Sequence, residues 1–163
     1  MVERRWPDEV ERVASFLRTA GVESRVEEFS EGTPTAEDAA RAAGCELAQI
    51  VKSLVFDCDG RSIVVLVPGD RRADREAVAT TAGCGKAKIA GPEQVVAATG
   101  FAPGAVAPFP LPNVDRVYVD RSLLQHRIVW VGAGSSRHMA SLAPTDLVRL
   151  AQAEPMDAVE RHT

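Results

Sequence analysis

Cysteine is scarce in this chain: Cys45, Cys58 and Cys84 are three among 163 residues. An odd number without C-x-x-C spacing suggests neither a disulfide framework nor a zinc knuckle, and Cys45 and Cys58 read as small core residues. An excess of positive charge is also lacking. Lysine and arginine total 19 against 23 acidic residues, giving a net charge of −4 and a pI near 5.4. That balance excludes a protein that coats nucleic acid through bulk charge; any such contact must be local, with a shallow salt dependence because few phosphates are neutralised. No stretch approaches the roughly 18 apolar residues of a membrane span. Residues 1–11 are charged and carry Pro7 in place of the apolar core of a signal peptide. The expectation is a soluble, unprocessed protein in a reducing cytoplasm. His126, His138 and His162 lack metal-ligand spacing, and neither a G-x-S-x-G elbow nor a P-loop occurs. Neither a metal nor a cofactor is expected.

What is present is the composition of an ordinary globular protein, 45% hydrophobic and 26% charged. The length suits a single domain, 1–163, able to bury roughly 70% of the surface its unfolded chain exposes. Residues 8–20 carry Val10, Val13, Ala14, Phe16 and Leu17 at helical spacing before Gly21, so residues 1–21 read as an N-terminal helical segment. Residues 22–29 read as an exposed strand, followed by a turn over 30–34. Thr35 offers an N-cap to a short alanine-rich helix ending at Gly44. Two β-branched runs, 54–58 and 62–67, flank Asp59-Gly60-Arg61 as an antiparallel hairpin. Helices are expected over 73–82, 92–99 and 144–153, strands over 105–108, 116–120 and 128–131, and a frayed tail over 154–163. Without a repeating βαβ rhythm, the fold class is α/β of the α+β kind: a mixed, mostly antiparallel central sheet with helices packed around it.

Lys52 is the most informative residue. Alternation through Ile50, Lys52, Leu54 and Phe56 puts its ammonium on one face with three large apolar side chains. Such a cation either meets an anion or polarised carbonyl in a cleft, or packs its stem and sends its head to water. The loop from Gly100 through Gly104 to Pro108 either lets a ligand approach backbone amides or is a tight connection. Gly132-Ala133-Gly134-Ser135-Ser136 follows a strand, but Arg137 stands where a dinucleotide fingerprint needs its third glycine, and no βαβ unit encloses it. It reads as a backbone surface for substrate or as a plain turn. Arg71, Arg72, Arg75, Lys86 and Lys88, diluted by Asp70, Asp74 and Glu76, are a solvated face or a local phosphate contact.

Taken in order, Gln49-Ile50-Val51-Lys52-Ser53-Leu54, Val67-Pro68-Gly69-Asp70, the segment from Thr99-Gly100 to Pro108, Val131-Gly132-Ala133-Gly134 and Asp146-Leu147 resemble the YbaK-type aminoacyl-tRNA editing family. That family is also known from insertion domains of prolyl-tRNA synthetase, and the resemblance spans residues 22–150. It implies a YbaK-like fold and an ester hydrolase that frees a wrong, small amino acid from tRNA, often tRNA for proline. Carried over by position, Lys52 is the catalytic candidate, near the substrate's phosphate or aminoacyl end, and the mechanism expected has it hold the terminal nucleotide or its phosphate. Thr35, Gly100, Gly104, Pro108, Gly132, Gly134 and Ser135 are the substrate-binding candidates. The partners implied are the 3′ end of a mischarged aminoacyl-tRNA and, second, an aminoacyl-tRNA synthetase, with neither membrane nor DNA. The segment 132–137 and Met139 depart from the family pattern, which bears on amino-acid specificity more than on reaction type. An activated ester needs no dedicated nucleophile, so the missing triad is no objection. Two rivals remain: a non-catalytic small-ligand or synthetase-docking module on the same fold, and a nucleotide-binding oxidoreductase built on 132–135.

Overall fold

The strongest hydrophobic segments of the sequence pair with each other at the centre of the molecule. The computed structural model describes residues 6–161 apart from 23, 25, 31 and 34; Glu31 and Pro34 of the expected turn and His162 of the expected tail lie outside the described residues. Strands β2 (Ile50–Cys58) and β3 (Arg61–Pro68) form an antiparallel hairpin from Val51↔Pro68 to Cys58↔Arg61. Its turn places Asp59 and Gly60 at φ 53° and 89°, the doubly left-handed geometry that favours glycine. Ile63, Val64, Val65, Leu66 and Val67 are all fully buried, so β3 is covered on both faces, and each such side chain contributes roughly 1.5–3 kcal/mol by leaving water.

Around this hairpin stand β1 (Val26–Glu28), β4 (Ala87–Ile89), β5 (Arg116–Asp120), β6 (Val129–Ser135), β7 (His138–Leu142) and β8 (Glu154–Met156). The sheet runs β1-β7-β6-β2-β3-β5-β8, with β4 also pairing β2. Pairings β1–β7, β6–β7, β2–β3 and β2–β4 are antiparallel, whereas β2–β6, β3–β5 and β5–β8 are parallel. The mixed, mostly antiparallel α+β class is therefore the observed one. Helices α1 (Asp8–Thr19), α2 (Ala36–Ala43), α3 (Arg75–Ala82), α4 (Pro92–Thr99) and α5 (Pro144–Ala151) pack around it. Val13 and Leu17 of α1, Val95 of α4 and Leu147 of α5 share one core with Val51, Val55, Val64 and Leu66. Phe56, Ile63, Val65 and Val67 form the second core with Val78 of α3.

Three expectations need correction. The strand over 105–108 is a loop: Ala105 N–H turns back to the Ala102 carbonyl, Pro103, Pro108 and Pro110 have no N–H for a ladder, and Phe101 and Phe109 anchor the segment in the core. The tail does not fray over 154–160. There β8 pairs β5, Asp120 accepts the Ala158 N–H at 2.7 Å, and Glu160 N–H reaches the Arg72 carbonyl at 2.8 Å. Finally, Cys58 is bonded to Cys84. The β2–β4 pairing sets Cys58 opposite Ala87, and the loop after α3 brings the two Cα atoms to 5.7 Å, a proximity that a separation of 26 residues hides. Cys45 remains a free thiol, half-buried.

Candidate functional site

A cleft of about 290 Å³ opens where β2, α2, the 104–106 loop and the β6–β7 hairpin meet. Thr35, Ala36 and Ala39 supply one wall, Ile50 to Leu54 the floor, Gly104 to Val106 a second wall, and Gly132, Ser135, Ser136, His138 and Met139 a third. The alanines and glycines make its walls small, with main chain close to the surface.

Lys52 is on the floor. It is half-buried, and its Nζ donates to the Arg71 carbonyl at 2.8 Å, which fixes the ammonium against the segment that follows β3. Burial pushes its pKa below the ordinary lysine range; Glu37 and Asp70 oppose the shift and Arg72 adds to it. With Leu54, Lys52 also borders a neighbouring cleft of about 450 Å³ that includes Arg72, Asp74, Arg75, Glu76 and Glu160. Of the basic stretch read from the sequence, Arg72 and Arg75 thus stand next to the lysine, while Lys86 and Lys88 line neither cleft.

The other candidates divide. Gly104 and Gly132 line the cleft with Ser135 and Thr35. A side chain at Gly132 would sit 3.3 Å from the Val106 carbonyl, so glycine lets β6 approach the loop. The Thr35 hydroxyl is already committed to capping α2, accepting the Asp38 N–H at 3.1 Å and donating to its carboxylate at 2.8 Å. Gly100, Pro108 and Gly134 do not line the cleft. Gly100 ends α4 in the left-handed region beneath the Arg12 guanidinium, Pro108 is buried, and Gly134 presses against the Glu9 carbonyl of α1, where a Cβ would come within 2.7 Å. Their conformations serve the scaffold.

Sequence reasoning missed His138 and Ser53. The sequence around His138 shows neither metal-ligand spacing nor a cysteine with a catalytic signature, yet His138 is buried on the cleft wall, its Nδ1 2.5 Å from Ser135 Oγ and its Nε2 3.1 Å from the Glu28 carboxylate. Ser135 Oγ also accepts the Arg137 N–H at 3.0 Å, so this polar chain fixes the hairpin tip against β1. Pairing of Ser135 with His138 across a short hairpin was the available signal. Thr33 binds the Ser136 carbonyl through both its N–H, at 2.6 Å, and its hydroxyl, at 2.9 Å. Among the described residues no cluster of three or more His, Cys, Asp or Glu is arranged to hold a metal. No helix among them is long and apolar enough to cross a membrane.

Residues 30–150, which include every residue of the cleft, match the family model described as an aminoacyl-tRNA editing domain. The chain belongs to this editing-domain family. It is 35% identical over 126 residues to the uncharacterized protein YwhH of Bacillus subtilis, covering 77% of this chain and 80% of that protein. A proline–tRNA ligase of Nitratidesulfovibrio vulgaris is 35% identical over 92 residues, 56% of this chain but only 16% of the ligase. In three dimensions the editing domain superposes with a TM-score of 0.90 and 34% identity on a crystal structure described as a candidate trans-editing enzyme for prolyl-tRNA synthetase, over 96% of this chain and all of that one.

Proposed function

We propose that the cleft hydrolyses the ester joining a small, wrongly attached amino acid to the 3′ end of a tRNA, with tRNA for proline the first candidate, acting in trans in the cytoplasm. The observation that carries this reading is the half-buried Lys52 on the floor of a cleft whose walls include Ala36, Ala39, Gly104, Ala105 and Gly132. Membership of the editing-domain family and likeness to a prolyl-tRNA synthetase partner support it.

In the reaction, water attacks the ester carbonyl, the carbon–oxygen bond to the ribose breaks, and the ribose oxygen takes up a proton as the amino acid leaves as its carboxylate. Lys52 holds the terminal nucleotide or its phosphate, with Arg72 and Arg75 next to it along the approach. Main-chain N–H groups polarise the carbonyl, and a neighbouring ribose hydroxyl helps orient the water; positioning of this kind suffices for an already activated ester. Ala36, Ala39, Gly104 and Gly132 limit the amino acid to a small one.

The test is a panel of tRNAs mischarged with alanine, serine, threonine or cysteine. Catalytic release from at least one is expected, and Lys52→Ala is expected to lower it about 100-fold or more, the scale of losing a group that positions the reacting ester, with a melting temperature that is not lowered. Binding without release across the whole panel would leave a docking module in place of an enzyme.

A further inference from the structure

The central strand β2 has one complete edge and one broken edge. Toward β3 its pairing is continuous from Val51 to Cys58. On the other side, pairing with β6 stops at Val51↔Val131, and pairing with β4 starts at Phe56↔Ile89, preceded by the Ala90 N–H reaching the Val55 carbonyl. The Ile50 carbonyl takes the Gly69 N–H on the β3 side. Backbone direction alternates residue by residue along a strand, so Val51, Ser53 and Val55 turn their N–H and C=O toward the broken edge. Val51 is met by β6 and Val55 by Ala90. Ser53 faces the opening with no strand opposite, and it lines the cleft beside Lys52. Its side chain adds an independent sign: Ser53 Oγ is the buried side-chain polar atom that has no hydrogen-bond partner among the described residues.

A backbone N–H and C=O with no strand opposite, next to a buried hydroxyl without a partner, are costly to leave unmet, and a ligand that satisfies all three removes the cost. An aminoacyl ester carries the matching set on adjacent atoms: an α-ammonium with three donors and a carbonyl acceptor. We propose that the aminoacyl group fills the missing rung of the sheet at Ser53. Its ammonium donates to the Ser53 carbonyl and Oγ, and its ester carbonyl accepts the Ser53 N–H, in the two-bond pattern of an antiparallel residue pair. The N–H then points at the oxygen that gains negative charge during attack. Ser53 is thereby a residue that recognises the α-ammonium and orients the ester at the open edge of β2, next to Lys52 in the chain. This deepens the deacylase reading and rests on it.

The experiment compares alanyl-tRNA with lactyl-tRNA, in which a hydroxyl replaces the ammonium, for the full chain and its Ser53→Ala variant. The wild-type chain is expected to favour the alanyl ester by about tenfold or more in kcat/KM, the scale of a hydrogen bond to a charged group. Ser53→Ala is expected to lose most of that preference through a higher KM for the alanyl ester alone. Because the hydroxyl is unpartnered in the free protein, the variant's melting temperature is expected to be equal or higher. Absence of preference in the wild type would overturn the rung. Undiminished preference in Ser53→Ala, equal loss on both esters, or a lowered melting temperature would overturn the role of the hydroxyl. If the wild-type chain releases neither group nor any amino acid of the mischarged panel, it is the deacylase reading that fails; these other outcomes presuppose activity.

Discussion

The two edges of β2 divide the work of the molecule. Along β3, every position from Val51 to Cys58 has a partner, and the partner strand is buried on both faces from Ile63 to Val67. Along the other edge, β6 and β4 each cover one end and leave Ser53 between them. The continuous edge satisfies its backbone and buries apolar surface, which is where stability comes from. At the broken edge, unpartnered polar groups remain beside a half-buried ammonium, the arrangement on which the proposed binding of substrate rests. Alanines and glycines gather there because large side chains would close the opening.

Substitution on the continuous edge gives the largest expected effect. Ile63 is fully buried, pairs with Phe56, and lies in the core that packs on α3, away from the cleft. Ile63→Ala is expected to lower unfolding free energy by about 2–5 kcal/mol through lost burial and the cavity left behind. The kcat of the folded fraction should not change. Urea unfolding together with deacylation at low temperature checks both halves; a kcat that falls in step with stability would mean that the two edges are not separable.

Next comes the covalent link at the end of β2. Cys58–Cys84 closes a loop of 26 residues spanning β3 and α3, and a loop of that size removes unfolded-state freedom equivalent to about 3 kcal/mol. Reduction is therefore expected to shift the urea midpoint downward by a corresponding amount. Because β4 follows directly after Cys84 and forms one margin of the opening, reduction should also loosen that margin and raise KM several-fold. A midpoint indifferent to reductant would show that the thiols are unlinked in solution, as a reducing compartment favours.

What could be read from the sequence follows the same division. The continuous edge announces itself: β-branched runs around Asp59-Gly60 are a local signal, and the helix over 92–99 with its proline start and glycine end is another. The broken edge depends on where two distant strands stop, and no local pattern encodes that. Ser53 therefore has no local signature beside Lys52, and the sequence around His138 does not show its partner Glu28, 110 residues away. Glycine was read too generously as a ligand surface. Gly100 and Gly134 answer to Arg12 and to the backbone of α1, partners more than 80 residues away in the chain. The tail misled for a related reason: its polar residues sit at an outer strand, but Met156 and Ala158 plug into the second core.

The smallest expected effect sharpens the comparison where it matters for chemistry. Burial lowers the pKa of Lys52, and Glu37 and Asp70 oppose that without cancelling it. The unfolded chain keeps an ordinary lysine, so between the two pKa values it binds more protons than the folded chain, and stability rises with pH across that window. The penalty is fully present below both pKa values, where the ammonium is charged in both states. Activity is expected to move the opposite way: on the proposed role of Lys52 its cation is lost at a pH below the usual lysine range, and deacylation corrected for uncatalysed hydrolysis should decline with it. Lys52→Arg keeps its charge throughout, so the alkaline decline should disappear even if the rate is lower. Lys52→Met should abolish the rise in stability and most of the activity together. An alkaline decline that persists unchanged in Lys52→Arg would assign the titration to another group and detach the lysine from the rate.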